Sequence, residues 1–266
     1  MSLGSNLRLY SRLIYYTLTN PGPRQYRAQW NSFWGSIERT GPGGDVLWDN
    51  VPERAVADDF ARLRQYMHPN LPLIDVGCGN GRQTRFLAQQ GGRVIGADVS
   101  SAAIGLATAE SRGIGNIEFR ALDVTKPDQA SALHDEIGDA NIYIRGVVHA
   151  IQKQDRPAVE RSLAILLGER GTLYQVELST EALTYFRQLP GDSPSGLPRL
   201  LHRVVRFGIR PVGFNLIDRA SIFPDSRWHL LASGEDVTIN TVILSHGEEG
   251  HVPANFVIVR PRAPRI

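Results

Sequence analysis

The stretch that most constrains the fold of this chain runs from Leu71 to Thr84. It opens with a short apolar run that ends at Val76, which is the pattern of a buried parallel strand. Glycines then occupy positions 77, 79 and 81, as in a tight turn, because glycine tolerates positive φ and lets a ligand approach the backbone. A helical pattern follows, so the turn leads into a helix N-terminus with free backbone N–H groups. A strand, a glycine turn and a helix in this order predict a cofactor site.

The glycine spacing and one acidic residue distinguish two classes of cofactor. Dinucleotide-binding proteins use Gly-x-Gly-x-x-Gly, so that pyrophosphate reaches the helix N-terminus, whereas the spacing here is Gly-x-Gly-x-Gly. Asp75 precedes the first glycine by two residues, and its carboxylate would repel an anion and attract an ammonium group. The segment Asp75–Gly81 closely resembles motif I, Asp/Glu-x-Gly-x-Gly-x-Gly, of the class I S-adenosylmethionine (SAM)-dependent methyltransferases. The resemblance implies a SAM site, with S-adenosylhomocysteine as the product.

Strand-like and helical segments alternate along the chain, which demands parallel strands joined by right-handed crossovers and therefore predicts an α/β fold. The family resemblance implies a Rossmann-like, seven-stranded, mostly parallel sheet with helices on both faces and an antiparallel last strand. We divide the chain into an N-terminal helical cap at 1–50 and a methyltransferase domain at 51–266. The second of these carries a substrate-side insert at about 180–225.

Composition argues against several other classes of protein. The 266 residues have a formal net charge of +2 and no dense run of Lys and Arg, so we expect no nucleic-acid partner. Cys78 is the single cysteine, and we predict neither a disulfide nor a bound metal. No apolar run approaches the roughly 20 residues that span a bilayer, and the N-terminus lacks a signal-peptide pattern. We expect a cytoplasmic protein with a small-molecule substrate, either a monomer or a homodimer.

Two further acidic residues follow predicted strands. Asp98 ends the second strand, where a carboxylate can accept both hydroxyls of a ribose. Asp123 follows the third strand, and the family resemblance implies that it accepts from the adenine amino group while the N–H of Val124 reaches the ring. The alternative for Asp123 is a turn or N-cap residue before Pro127. The predicted cofactor-binding residues are Asp75, Gly77, Cys78, Gly79, Gly81, Asp98, Val99, Asp123, Val124 and Arg145.

The fourth predicted strand ends at Arg145, at the edge of the sheet where ligands bind in folds of this kind. Methyltransferases that modify amino groups of DNA and protein usually have Asn/Asp-Pro-Pro-Tyr/Phe at this point, and this chain has Arg-Gly-Val-Val. Arginine cannot accept a hydrogen bond, but it can hold a carboxylate in a two-pronged grip. Arg145 therefore argues against methylation of nucleobase amines and favours an acidic or oxygen-bearing substrate.

His149 lies just beyond the same strand and is the histidine nearest to the predicted substrate site. It could remove a proton from a hydroxyl during methyl transfer, or it could only orient neighbouring backbone groups. With Arg145 it forms the predicted catalytic pair, which faces the methyl group. Glu177, at the end of the fifth predicted strand, is predicted to line the substrate site, with simple solvation as the alternative.

Aromatic residues cluster before the glycine turn. Trp34 and Trp48 belong to a segment that resembles the one preceding motif I in small-molecule methyltransferases of the thiopurine type. In those proteins a Trp-rich helix and a Trp-Asp loop wrap over cofactor and substrate, so we predict that both residues line the substrate site, with packing as the alternative. Residues 1–20 have the pattern of an amphipathic helix that could lie on the domain, contact a second subunit or act as a lid. Large apolar residues of the insert could form a pocket or a helical core: Phe186, Leu197, Leu201, Phe207, Phe214 and Phe223.

These features together predict a SAM-dependent methyltransferase that acts on a small molecule, with O-methylation of a hydroxyl or carboxylate favoured. Such an enzyme mainly aligns the nucleophile, the methyl carbon and the sulfur. One alternative is a SAM-binding scaffold or regulatory protein without turnover. Another is a nicotinamide-dependent oxidoreductase, which the glycine spacing and Asp75 disfavour.

Overall fold

The structure is a computed structural model that describes residues 26–193, 196–209, 213–243 and 249–262. The helix predicted at 1–20, and with it part of the predicted cap, lies outside the described residues. Within the described ranges, no helix has the length and apolar character that crossing a membrane requires.

The helices and strands alternate as the sequence predicts. The helices of the described chain are α1 (Tyr26–Gly35), α2 (Pro52–Arg64), α3 (Arg82–Gln89), α4 (Ser101–Glu110), α5 (Pro127–Ile137), α6 (Arg156–Leu167), α7 (Ala182–Gln188), α8 (Arg199–Arg206) and α9 (Leu216–Ile222). The strands are β1 (Leu73–Val76), β2 (Val94–Asp98), β3 (Ile117–Ala121), β4 (Asn141–Arg145), β5 (Leu173–Leu178), β6 (Trp228–Thr241) and β7 (Gly250–Pro261). Two short 3₁₀ turns, Val148–Ala150 and Lys153–Asp155, lie between β4 and α6.

The described strands form one sheet in the order β3-β2-β1-β4-β5-β7-β6. The first five strands are parallel, whereas β7 pairs antiparallel with β5 and with β6. The predicted fold is confirmed, and the antiparallel strand β7 lies between β5 and β6. The strand order reverses between β1 and β4, and ligands bind at the carboxyl ends of the strands at such a point.

Helices cover both faces because the central strands divide their apolar side chains between two cores. On β1, Leu73 belongs to one core and Ile74 to the other. The first core includes residues of α1 to α4, and the second includes residues of α5, α6 and α9. Burying each such side chain stabilises the fold by about 1.5–3 kcal/mol.

The predicted insert at 180–225 contributes to both faces of the sheet. Phe186 on α7 and Leu201 on α8 belong to the first core, whereas Phe214 and Phe223 belong to the second. Of the two alternatives for the six large side chains, a pocket or a core, the core describes Phe214 and Phe223. Their hydrophobicity alone could not specify which face of the sheet they would cover.

The side chain of Asn31 on α1 forms hydrogen bonds with the N-terminus of α4. Its Oδ1 accepts hydrogen bonds from Ser101 Oγ (3.0 Å), from the Ala102 backbone N–H (3.1 Å) and from Ser100 Oγ (3.2 Å). The first N–H groups of a helix have no partner within the helix, so an acceptor at this position stabilises it. The contact holds α1 next to the end of β2.

Candidate active site

A cavity opens at the carboxyl ends of β1, β2, β4 and β5, at the edge of the sheet that the sequence predicts for ligand binding. It contains about 1240 Å³ of space between protein atoms, part of which is open to solvent. Side chains of α1 and of the loop before α2 form part of its wall, together with side chains of the insert, β6 and β7. A concave, mostly apolar cavity with a few convergent polar groups is the usual form of a small-molecule site.

The glycine turn adopts the predicted conformation. Gly77, Gly79 and Gly81 have φ values of +77°, +55° and +72°. A Cβ atom at Gly77 would collide with the side chain of Val147, and one at Gly79 would collide with the indole of Trp34. The glycines are therefore required both for the backbone conformation and for the close approach of the protein's own side chains.

Asp98 lies on the cavity wall at the end of β2 and is buried. Its Oδ2 accepts from the Gly79 N–H (3.0 Å) and its Oδ1 from the Ser100 N–H (2.8 Å). These bonds orient the carboxylate, and each oxygen retains a further lone pair. Burial raises the pKa of Asp98 to about 6, although the backbone N–H groups act in the opposite direction. The carboxylate can accept two ribose hydroxyls, so this position fits an adenosine cofactor.

Asp75 lies behind the glycine turn and is not on the cavity wall. Its side chain is buried, and its Oδ2 accepts from the Thr84 hydroxyl at 2.6 Å. Burial raises the pKa of Asp75 to about 7, and the negative charge of Asp98 adds to the effect. The prediction that Asp75 holds the cofactor's amino-acid part, directly or through water, is corrected for the direct contact, because packing directs this carboxylate toward α3. A contact through water stays a prediction.

Asp123 has the geometry of a turn residue. Its Oδ1 accepts from the backbone N–H (3.0 Å) and the hydroxyl (2.6 Å) of Thr125, and its own N–H donates to Gln129. The cavity wall at this point is formed by Leu122 and Val124. These contacts agree with the alternative interpretation of Asp123 as a turn residue. Its predicted role toward adenine stays a prediction.

The predicted cofactor residues thus divide into two groups. Some lie on the cavity wall: Gly77, Cys78, Asp98, Val99, Val124 and Arg145. Others are not part of the cavity wall: Asp75, Gly79, Gly81 and Asp123.

Glu177 is 1% exposed and lies beside His149, away from the cavity wall. Its Oε1 accepts from the backbone N–H groups of Val147 (3.2 Å) and Val148 (2.8 Å), and from the Gln175 amide (3.2 Å). The prediction that Glu177 lines the substrate site is therefore wrong. A buried carboxylate needs hydrogen-bond donors, and the 3₁₀ turn after β4 supplies them.

His149 lies on the cavity wall, and its ring is held from behind. Its Nδ1 is 2.6 Å from Oε2 of Glu177, and its backbone N–H donates to the same oxygen at 3.2 Å. The Nε2 atom has no hydrogen-bond partner in the described part of the chain. A neutral imidazole whose Nδ1–H is bound by a carboxylate has its lone pair on Nε2, where it can accept a proton.

Arg145 lies on the cavity wall, but both terminal nitrogens of its guanidinium are already engaged, and Nη2 donates to the Asn240 carbonyl oxygen at 3.5 Å. Its Nη1 donates to Oδ2 of Asp59 on α2 at 3.0 Å. Asp59 also accepts from the hydroxyls of Tyr143 (2.9 Å) and Tyr174 (2.5 Å). The Nε atom of Arg145 is buried and has no hydrogen-bond partner among the described residues. A two-pronged grip through Nη1 is therefore unavailable, and the substrate role predicted for Arg145 depends on its remaining donors.

Trp34 and Trp48 both lie on the cavity wall, with their ring centroids 5.9 Å apart. Their contact with substrate stays a prediction. Tyr26 and Trp30 also lie on the wall, and the sequence analysis did not identify either as a site residue. The spacing of four residues along α1 places Tyr26, Trp30 and Trp34 on one helical face, and this spacing was the signal available.

Asp49 and Asn80 are further wall residues, and no site role was predicted for either from its place in the Trp-Asp loop or in the glycine turn. Both are 2% exposed, and Nδ2 of Asn80 donates to Oδ2 of Asp49 at 2.7 Å. Asn80 belongs to the glycine turn, whereas Asp49 comes from a loop 31 residues earlier in the chain. No local pattern connects these two positions.

The remaining wall, supplied by β5, the insert, β6 and β7, is mostly apolar. Its apolar members are Leu178, Phe186, Leu201, Val204, Ile209, Ile239 and Val252. Across the described ranges, no group of three His, Cys, Asp or Glu side chains is placed to hold a metal ion.

The fold and the cavity define a Rossmann-like protein with a ligand site at the carboxyl edge of its sheet. The family profile of a methyltransferase domain matches residues 73–171. A solved structure of a SAM-dependent methyltransferase from Anabaena variabilis is 37% identical, and the alignment covers 91% of this chain and 97% of that chain with a TM-score of 0.80. This chain therefore belongs to the SAM-dependent methyltransferases. The predicted family and the predicted cofactor are confirmed.

Other similar proteins are more distant. A structure described as "Conversion of a Disulfide Bond into a Thioacetal Group during Echinomycin Biosynthesis" has a TM-score of 0.62 at 19% identity, covering 85% of this chain and 89% of that chain, and supports the fold alone. The ubiquinone biosynthesis O-methyltransferases of Sinorhizobium medicae and Sinorhizobium fredii are 33% and 28% identical over 109 residues. Each alignment covers 36% of this chain and 44% of the relative, so the chain spans less than half the length of these curated relatives.

Proposed function

We propose that this protein transfers a methyl group from SAM to an oxygen of a small, largely apolar molecule, and that the preferred acceptor is a hydroxyl. The observation that carries the proposal is the His149 ring on the cavity wall, which is bound at Nδ1 by Glu177 and has no partner at Nε2 among the described residues. The similarity to O-methyltransferases of ubiquinone biosynthesis also supports oxygen as the acceptor atom.

Glu177 orients His149 for proton transfer. The carboxylate accepts a hydrogen bond from Nδ1–H, and the lone pair of the neutral ring is therefore on Nε2. When the acceptor oxygen bonds to the methyl carbon, the bond between that carbon and sulfur would break, its electron pair would stay on the sulfur of S-adenosylhomocysteine, and Nε2 would take the hydroxyl proton. The resulting imidazolium is stabilised by Glu177, which the backbone N–H groups of Val147 and Val148 hold in place.

The cofactor, when bound, supplies an electrophilic methyl group on a sulfonium. Asp98 would hold the ribose, and the turn from Gly77 to Gly81 would leave room for the rest of the cofactor. Most of the work of the protein is alignment of the acceptor oxygen with the methyl carbon. The apolar wall residues would enclose the body of the acceptor and exclude water, and Arg145 would attract a polar or anionic group on it.

A transfer assay with labelled methyl SAM tests this function on three groups of acceptors: alkylphenols, alkylbenzoic acids and hydroxybenzoic acids. We expect His149→Ala to lower kcat for a hydroxyl acceptor by about 10²–10⁴-fold, the usual contribution of a general base. A carboxylate acceptor is already deprotonated, so its methylation should change only a few-fold. His134→Ala, on α5 and outside the cavity wall, is the matched control and should keep full activity.

Two outcomes would contradict the proposal. Full activity of His149→Ala on hydroxyl acceptors would exclude His149 as the general base. Binding of S-adenosylhomocysteine without transfer to any acceptor would favour the alternative of a SAM-binding scaffold.

A further inference from the structure

The carboxylate of Asp49 is buried and reaches the cavity, and only one of its two oxygens has hydrogen-bond partners among the described residues. Its Oδ2 accepts from the Gly41 backbone N–H and from Nδ2 of Asn80, both at 2.7 Å. Its Oδ1 has no hydrogen-bond partner among the described residues, although the side chain lies on the cavity wall. One carboxylate oxygen of Asp49 is therefore available to a ligand.

Asn80 places this free oxygen beside the glycine turn. The residue stands between Gly79 and Gly81, and its side chain is bound directly to Asp49. Both residues are on the wall of the same cavity as Gly77. A ligand that lies along the turn thus meets the carboxylate of Asp49.

The charge of Asp49 has no close cationic partner. Within the described ranges it forms no ion pair at 4.0 Å or less, although Arg82 lies near enough to stabilise its charge. Burial raises the pKa of Asp49, whereas the hydrogen bonds from Gly41 and Asn80 lower it. An opposite charge placed beside a buried carboxylate stabilises its charged form, so an ammonium group bound at this position would be favoured.

We propose that Asp49, and not Asp75, is the carboxylate that binds the α-ammonium group of SAM. An ammonium carries three donors, and Oδ1 of Asp49 offers an unoccupied acceptor on the cavity wall. Asp75 is directed away from the cavity toward Thr84. The inference rests on the binding of SAM in this cavity, and it is independent of the acceptor that is methylated.

Calorimetric titration with two ligands tests this assignment. S-adenosylhomocysteine has the amino-acid group, whereas 5′-methylthioadenosine keeps the adenosine and the thioether without it. We expect Asp49→Asn to weaken S-adenosylhomocysteine binding by about 10–100-fold, the effect of one charge-assisted hydrogen bond. Binding of 5′-methylthioadenosine should change by less than about twofold.

The substitution suits the test because asparagine can keep the structure of the loop. Its amide oxygen can still accept from Gly41 and Asn80, while its NH₂ group would then face the ligand ammonium. Two control variants complete the comparison. Asp75→Asn should leave the ratio of the two affinities unchanged, and Asp98→Asn should weaken both ligands because both contain the ribose.

Several results would overturn the assignment. One is equal weakening of both ligands in Asp49→Asn, and another is a selective loss of S-adenosylhomocysteine binding in Asp75→Asn alone. Failure of the wild-type protein to bind S-adenosylhomocysteine would also overturn it. Because no methyl acceptor is present, failure of the proposed O-methylation leaves these outcomes unaffected.

Discussion

Replacement of one carboxylate oxygen of Glu177 by an NH₂ group should remove most of the activity while the protein stays folded. In the variant Glu177→Gln, the amide oxygen can continue to accept from Val147 and Val148, which now donate to Oε1. The new NH₂ group would replace Oε2, which now lies 2.6 Å from Nδ1 of His149. An NH₂ group donates, so Nδ1 would become the acceptor and the ring proton would move to Nε2. His149 would then present a donor to the acceptor molecule.

The expected losses follow from these contacts. A ring in the wrong tautomer cannot act as the general base, so kcat for a hydroxyl acceptor should fall by about 10²–10⁴-fold, or about 3–5 kcal/mol of transition-state stabilisation. The folded state should lose at least about 1.5–3 kcal/mol, because the hydrogen bond between the ring and a charged group is replaced and the His149 backbone N–H loses its acceptor at Oε2. The KM for the acceptor and the affinity for S-adenosylhomocysteine should each change by less than about threefold.

Steady-state kinetics with a hydroxyl acceptor, calorimetric titration with S-adenosylhomocysteine and urea denaturation measure these three effects. A kcat within about threefold of the wild type, in a folded variant that binds the product, would refute the role of Glu177 in orienting His149. A parallel loss of kcat and of product affinity would indicate general disruption of the site instead.

Two further predictions concern the glycine turn. The pKa of Asp75 rises from 3.8 in the unfolded chain to about 7 in the folded protein, so its titration should lower the free energy of unfolding as pH rises through that range. Asp75→Asn can keep the Thr84 bond and should therefore stabilise the ligand-free protein at pH 8 by on the order of 2–4 kcal/mol, with little gain near pH 3.5; equal denaturation curves at pH 8 would contradict this reasoning. Gly79→Ala should destabilise the protein by about 2–4 kcal/mol, because the residue has φ of +55° and a methyl group would collide with Trp34. A calorimetric Tm equal to that of the wild type would show that the indole can move aside.

The architecture and the cofactor could be predicted from the sequence because their signals are local. The glycines at 77, 79 and 81 require positive φ whatever surrounds them, and the alternation of strands and helices restricts the sheet to parallel pairing. The position of Asp98 at the ligand-binding edge of the sheet was predictable for the same reason, because Asp98 is the last residue of β2. Trp34 and Trp48 were predicted on the cavity wall from a resemblance that also extends along a continuous stretch of chain.

The direction of individual side chains was decided by tertiary packing. Glu177 and Asp75 both end up away from the cavity because a buried carboxylate takes the nearest donors, and those donors were not visible in the local sequence. The pairing of Arg145 with Asp59 joins residues 86 positions apart, and that of Asp49 with Asn80 joins residues 31 positions apart. A sequence pattern specifies the backbone at each of these positions, whereas the partner of a polar side chain depends on which distant segments the fold brings within about 3 Å.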